Sequence, residues 1–137
     1  MTEDATAKAT RAVAERMLGA ISAGDVETLI ACVDEDVHFY MPGQTDFHGH
    51  FEGRDAWLEA ATSVLEQLAE PLALSVENMI IAGHWAVVQA SGSSKTLSGQ
   101  PYNQTFCFIW YVENGKIVDI TEYHDTDVVR RVLLNDA

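Results

Sequence analysis

The sequence places an acidic residue and a histidine two positions apart on one predicted strand, where they could carry acid–base chemistry. Asn114-Gly115 is typical of a two-residue hairpin turn, because both residues tolerate the positive φ of a type I′ turn. A strand over residues 116–124 follows, and its side chains alternate between two faces. One face is formed by Val118, Ile120, Glu122 and His124. If Val118 and Ile120 face the core, Glu122 enters apolar surroundings, where a carboxylate must be paired, protonated or functional.

Glu122 is the first candidate for catalysis. A buried carboxylic acid is a useful proton donor or acceptor near neutral pH, because the loss of solvation disfavours its charged form. The alternative is a structural role, with Glu122 paired to Arg54, a tyrosine or a histidine. His124 shares the face of Glu122, so it either shares the proton or lies at the exposed end of the strand.

A second pair of candidates lies on an earlier strand, predicted over residues 37–41. His38 and Tyr40 share one face of this strand, opposite an entirely apolar face. As catalytic residues beside a pocket, they could carry a proton and donate a hydrogen bond to a developing oxyanion. Alternation determines which residues share a face of the strand but not which face is buried. His38 and Tyr40 could therefore instead face solvent or a subunit interface.

Two histidines lie close together in segment 43–52, which is predicted as an irregular loop. His48-Gly49-His50 lacks a second ligand cluster at a defined spacing, so we expect no metal site. We expect His48 to line the mouth of a ligand pocket. The chain also has no Gly-rich phosphate loop and no serine nucleophile elbow, and we expect it to use no cofactor.

Aromatic side chains on two elements, together with Gln104, are expected to form the wall of this pocket and to contact a substrate. Trp57 lies at a core position of a predicted helix, and Gln104, Phe106 and Trp110 share one face of a predicted strand. The opposite face of that strand is also largely apolar. A sheet that helices cover on one side must bury such a face elsewhere. We therefore predict a homodimer that packs partly through the outer face of the sheet.

The order of the predicted elements is typical of an α+β domain. Helices are predicted at residues 4–23, 26–33 and 53–71, and strands at about 37–41, 73–81, 85–97, 102–112 and 116–124. Asp125 is expected to cap a short closing helix. Helices followed by consecutive strands predict a cone-shaped, curved antiparallel sheet around a long helix, with the helices on its concave side. The conical space between them is the expected ligand pocket.

Composition and charge exclude several classes of function. The 137 residues suit a single domain with a core large enough to enclose a pocket. Eight basic and 21 acidic residues give a formal charge of −13, which repels nucleic acids and anionic membranes. No apolar run is long enough to cross a bilayer, and the acidic start, Met1-Thr2-Glu3-Asp4, has no signal-peptide features. We expect a cytoplasmic protein whose partner is a small hydrophobic molecule.

Five short motifs occur along the chain in a characteristic order. They are Ala23-Gly24-Asp25, Asp36-Val37, segment 51–56, segment 99–103, and segment 115–125. Together they resemble the SnoaL-like and ketosteroid-isomerase-like branch of the nuclear transport factor 2 superfamily. In the cyclases and the limonene epoxide hydrolase of that branch, the acid that corresponds to Glu122 faces the pocket and acts as acid or base. The second acid corresponds to Asp125, which we interpret as a helix cap, and the paired Tyr and Asp oxyanion donors of the ketosteroid isomerases have no clear equivalents.

The resemblance implies a small-molecule enzyme of the isomerase or polyketide-cyclase type. Its chemistry would be cofactor-free proton transfer on a hydrophobic carbonyl compound, with Glu122 as the acid or base. Two alternatives stay open, because this scaffold hosts many functions. One is a non-catalytic ligand-binding or dimerisation domain, and the other is a hydrolase that resembles the epoxide hydrolases.

Overall fold

The computed structural model describes residues 3–134, so Met1 and Thr2 of the acidic start lie outside the described residues. The elements follow the predicted order, with one additional strand. They are α1 (Ala5–Ala23), α2 (Val26–Cys32), β1 (Val33–Met41), β2 (Gly49–Glu52), α3 (Arg54–Leu65), β3 (Ala73–Ala82), β4 (Trp85–Lys95), β5 (Pro101–Glu113), β6 (Lys116–His124), and α4 (Thr126–Val128), which continues as a π-helix over Val129–Leu133. Segment 43–52 thus ends in a strand, β2, which is too short to reveal an alternating pattern.

The six strands form one curved sheet in the order β2-β1-β6-β5-β4-β3. Neighbouring strands are antiparallel except β1 and β6, which run parallel. The predicted antiparallel sheet therefore contains one parallel pair. This pair is possible because a long excursion through β2, α3 and three strands separates β1 from β6 along the chain. Helix α1 packs on β3, β4 and β5, and α3 packs on β1 and β2, which confirms the α+β class.

The helix ends follow local chemistry at α1 and tertiary contacts at α3. The Asp4 side chain accepts a hydrogen bond from the Ala7 amide at 2.8 Å, and Gly24 ends α1 with φ of 68°. Helix α3 ends at Leu65, earlier than predicted, because Ala69 donates to the Lys95 carbonyl at the end of β4. No helix within residues 3–134 is long and apolar enough to span a membrane.

The hairpin predicted at Asn114-Gly115 is present. The two residues have φ of 51° and 76°, and Glu113 pairs with Lys116 across the turn. These are the dihedral signs of a type I′ turn. The turn therefore sets where β6 begins, as the sequence indicated.

A β-bulge interrupts β6 soon after this turn. Two consecutive residues of β5 pair with Asp119 and Ile117, so Val118 between them has no partner on β5. Ile117 and Ile120 are both buried in the core, while Val118 is half-buried. The prediction that Val118 shares the core face is therefore wrong. Beyond the bulge, Ile120 and Glu122 share a face as predicted.

Candidate active site

A cavity opens between the concave face of the sheet and the helices α1 and α3. It leaves about 100 Å³ in which the centre of a water molecule fits. Its wall is mostly apolar and includes Trp57 from α3 and the β5 residues Phe106 and Trp110. These three aromatic residues thus lie where the sequence predicted a pocket wall. Their contact with a ligand stays a prediction.

Two polar side chains of β6 enter this apolar cavity. Glu122 and His124 both line it, and their side chains are 22% and 5% exposed, respectively. Nδ1 of His124 lies 3.1 Å from Oε2 of Glu122. Oε1 of Glu122 makes no hydrogen bond with any of the described residues. Arg54, an alternative partner considered from the sequence, instead donates to the Val33 carbonyl at 3.4 Å.

His48 extends this pair into the loop before β2. Its Nε2 lies 2.8 Å from Nε2 of His124, and its Nδ1 lies 2.6 Å from Oγ1 of Thr45. Thr45, His48, His124 and Glu122 therefore form one hydrogen-bonded chain. His48 lies behind His124 and is not part of the cavity wall, so the prediction that it lines the pocket mouth is wrong.

The ring of His48 occupies space that only a glycine at position 43 leaves open. A Cβ atom at residue 43 would lie 2.3 Å from Cγ of His48 and 2.5 Å from its Nδ1. These distances are far shorter than any favourable non-bonded contact. Gly43 therefore permits the ring position from which His48 reaches His124.

The surroundings of His48 favour its neutral form. Burial lowers the pKa of His48, the neighbouring His124 lowers it further, and Glu122 acts in the opposite direction. Because the folded pKa lies below the ordinary value of 6.5, the unfolded chain binds a proton more readily than the folded one. The contribution of His48 to stability is complete above about pH 6.5 and is lost as the pH falls toward the folded pKa.

We expect the free energy of unfolding of the wild-type protein to decrease as the pH falls from about 7.5 to about 5.5. The variant His48→Gln should lose less stability over this range, because Gln does not titrate. Urea denaturation at both pH values measures the difference. His84→Gln is the control, because His84 is not part of the hydrogen-bonded chain of Thr45, His48, His124 and Glu122. Equal losses in wild type and His48→Gln would contradict the expectation.

His38 and Tyr40 lie on the outer face of β1, away from the cavity. Phe39, between them, lines the cavity instead. Nδ1 of His38 is 3.1 Å from Oδ1 of Asp119, and the Tyr40 ring stacks on His50 at 4.1 Å. The prediction that His38 and Tyr40 are catalytic residues in the pocket is therefore wrong as to their position. The apolar face of β1 is the buried one, so the polar residues of β1 lie on the opposite, outer face.

Gln104 lies on the inner face of β5, but its carboxamide is fully engaged with the protein. Oε1 accepts from the backbone amides of Thr105 at 2.9 Å and Asp125 at 2.8 Å. Nε2 donates to the Asp125 carbonyl at 3.0 Å and to the Tyr102 hydroxyl at 3.3 Å. Gln104 is absent from the wall of the cavity described above. The prediction that it binds substrate is therefore wrong, and it positions Tyr102 instead.

Tyr102 is a polar residue of the cavity that the sequence analysis did not assign. It is 2% exposed and lines the cavity. Because two backbone amides fix the Oε1 atom of Gln104, Nε2 must donate to Tyr102, whose hydroxyl donates no hydrogen bond to any of the described residues. Burial raises the pKa of Tyr102, so the phenol stays protonated at neutral pH. The alternation that places Tyr102 on the face of Phe106 was the available signal.

A family model described as a SnoaL-like domain matches residues 14–120. The chain belongs to the SnoaL-like family. This family includes isomerases and cyclases. No functionally curated protein matches this SnoaL-like domain by sequence.

Solved structures share the fold of this SnoaL-like domain at low sequence identity. A Bacillus subtilis protein named provisionally as an isomerase has a TM-score of 0.82 at 15% identity, over 94% of this chain and 95% of that one. An NTF2-like protein of unknown function from Burkholderia pseudomallei has a TM-score of 0.78 at 22% identity, over 90% and 96%. TerC, co-crystallised with polyporic acid, has a TM-score of 0.79 at 19% identity, over 92% and 98%. At such identities the likeness establishes the fold alone.

Proposed function

We propose that this SnoaL-like domain catalyses proton transfer at the carbon next to the carbonyl group of a small hydrophobic compound, without a cofactor. The position of Glu122 carries the proposal. Its Oε2 is held by His124, while no described residue bonds its Oε1, and the surrounding wall is apolar. A carboxylate held in this way is a suitable general base.

In the proposed reaction, Glu122 takes a proton from the carbon next to the carbonyl. The electron pair of the broken C–H bond forms a C=C bond, and the carbonyl π pair moves onto oxygen to give an enolate. The Tyr102 hydroxyl donates a hydrogen bond to that oxygen, where the charge develops. If the compound has a C=C bond conjugated with the enolate, return of the proton from Glu122 to the far carbon of that bond gives an isomer. If the enolate instead attacks a second carbonyl group, a ring closes, and the alkoxide formed from that carbonyl takes the proton from Glu122.

The apolar wall supports this chemistry in two ways. Trp57, Phe106 and Trp110 offer a surface to a hydrophobic ligand, and a bound ligand displaces water from Glu122. The provisional isomerase name of the Bacillus subtilis neighbour is consistent with such chemistry, and TerC was co-crystallised with a small organic acid, polyporic acid.

Hydrogen–deuterium exchange into 2-tetralone tests the proposed function. This bicyclic aromatic ketone has acidic C–H bonds next to its carbonyl group. Incubation with the protein in D2O, followed by proton NMR, should show exchange faster than in protein-free buffer. A non-catalytic binding domain would bind the ketone and leave the exchange rate at the buffer value, which would refute the proposal.

We further propose that the domain forms a homodimer through the outer face of its sheet. Ile80 on this face is 58% exposed, and it pairs across the sheet with Val87, which pairs with Ile109. A continuous apolar row of this kind is typical of a surface that is covered in solution.

We expect Ile80→Glu to convert a dimer into a monomer, because it would bury a carboxylate in an apolar interface. Light scattering coupled to gel filtration measures the mass. The control is Leu97→Glu, because Leu97 lies in a turn and is 72% exposed. This variant should remain a dimer, with the mass of two chains. A wild-type mass of one chain would contradict the dimer.

A further inference from the structure

The hydrogen-bonded chain behind Glu122 has a defined direction, and Thr45 determines it at the outer end. The backbone N–H of Thr45 points at Nδ1 of His48 at 3.4 Å. Oγ1 of Thr45 accepts from the Phe47 amide at 3.2 Å, which leaves its own hydrogen for the same Nδ1, 2.6 Å away. A backbone N–H can only donate. Nδ1 of His48 is therefore an acceptor and carries no hydrogen.

The direction continues inward from His48. A neutral imidazole with a bare Nδ1 carries its hydrogen on Nε2, so His48 donates to Nε2 of His124 across 2.8 Å. Nε2 of His124 is then the acceptor, and the hydrogen of His124 resides on Nδ1. That hydrogen points at Oε2 of Glu122, 3.1 Å away. An ionised carboxylate can only accept a hydrogen bond. The Thr45 end and the Glu122 end of the hydrogen-bonded chain therefore both require donation to run from Thr45 toward Glu122.

We propose that Thr45 and His48 are positioning residues that lock His124 into the tautomer with hydrogen on Nδ1. In this tautomer His124 is a donor to Glu122, and its other ring nitrogen is occupied by His48. Glu122 is therefore the base of the site, and His124 does not compete for the substrate proton. Oε2 is committed to His124, so the proton is taken by Oε1. The assignment of the base rests on the proposed function, whereas the tautomer lock does not.

Burial and packing support the lock independently of the hydrogen bonds. The His124 side chain is 5% exposed, so little water reaches its nitrogens to stabilise the other tautomer. Burial and His124 both lower the pKa of His48, in keeping with a neutral ring that has one donor and one acceptor nitrogen. Because Gly43 has no side chain, the ring of His48 has room to lie in this position.

Nitrogen-15 NMR of protein labelled at histidine tests the lock directly. In the wild type at pH 7, Nδ1 of His48 and Nε2 of His124 should have the chemical shifts of unprotonated ring nitrogens. Their partner nitrogens should have the shifts of protonated ones. A protonated Nε2 on His124, or two protonated nitrogens on either ring, would overturn the proposal. Single His→Gln variants assign the signals.

Two variants at the Thr45 end of the hydrogen-bonded chain extend the test. Thr45→Val removes the hydroxyl donor, and Gly43→Ala displaces the His48 ring without removing a hydrogen-bonding atom. Both should move the two His124 nitrogens toward averaged shifts, whereas Gly19→Ala, where a Cβ meets no atom within 4 Å, should not. Unchanged His124 shifts in both Thr45→Val and Gly43→Ala would also overturn the lock.

The exchange of deuterium into 2-tetralone separates this inference from the proposed function. If exchange depends on Glu122 but His124 carries its hydrogen on Nε2, only the proposed tautomer lock fails. If the tautomers are as expected and no exchange occurs, the proposed function fails while the lock stands. Where both hold, Thr45→Val should lower the exchange rate at saturating 2-tetralone with little change in the affinity for the ketone, because the variant disturbs the donor that positions Glu122 and not the apolar wall. A merely structural role would leave the rate at saturating ketone, measured per folded protein, unchanged.

Discussion

Glu122→Gln is expected to slow the exchange of deuterium into 2-tetralone by about 10²–10⁴-fold. The Gln carbonyl can still accept the hydrogen bond from Nδ1 of His124, so the geometry of the chain is retained. What is lost is the carboxylate that takes the proton. Proton NMR in D2O measures the rate, and thermal unfolding of the same sample shows that the fold is intact.

Asp119→Asn is the matched control for this substitution. Asp119 is also a carboxylate of β6, but it lies on the outer face beside His38. The same loss of one negative charge should leave the exchange rate close to that of the wild type. If the two variants slow exchange equally, the effect is one of overall charge or stability, and Glu122 is not the base.

Tyr102→Phe is expected to slow exchange by about 10²-fold, which is the usual effect of removing one donor to a developing oxyanion. The phenyl ring still fills its buried position, and Nε2 of Gln104 keeps its bond to the Asp125 carbonyl. We therefore expect a loss of stability of only about 1 kcal/mol. The rate should fall with little change in the affinity for 2-tetralone, because the donor acts mainly in the transition state.

Tyr123→Phe provides the comparison for Tyr102→Phe. Tyr123 is 48% exposed on the outer face of β6, so the loss of its hydroxyl should change neither the rate nor the affinity. The carbonyl carbon of bound, carbon-13-labelled 2-tetralone gives a second measurement. Its resonance should move upfield in Tyr102→Phe, because the carbonyl group no longer accepts a hydrogen bond. An unchanged rate and resonance in that variant would exclude Tyr102 as the donor.

Much of the fold could be predicted because local signals were strong. The Asn114-Gly115 turn was visible in two residues, and Asp125 caps the closing helix, where it accepts from the Asp127 amide at 3.0 Å. The common face of Glu122 and His124 followed from alternation beyond the bulge. These features depend on neighbours in sequence, which a single sequence displays.

The rest of the site depends on contacts between distant segments. His48 and His124 are 76 residues apart in sequence, and nothing local to either indicates that they meet. The position of Gln104 on the inner face was readable, but its bonds to Asp125 were not. The outward direction of His38 and Tyr40 likewise depends on which face of β1 the helices cover. Sequence periodicity cannot supply that information.

The β-bulge at Val118 also bears on how this strand can change in length. In a regular strand, the loss of one residue turns every later side chain to the opposite face. Here Val118 already lies outside the pairing between β5 and β6, and Ile117 before it and Ile120 after it both face the core. Deletion of Val118 would restore regular alternation from Ile117 through Glu122. Deletion of this one residue can therefore be tolerated without removing the acid from the cavity.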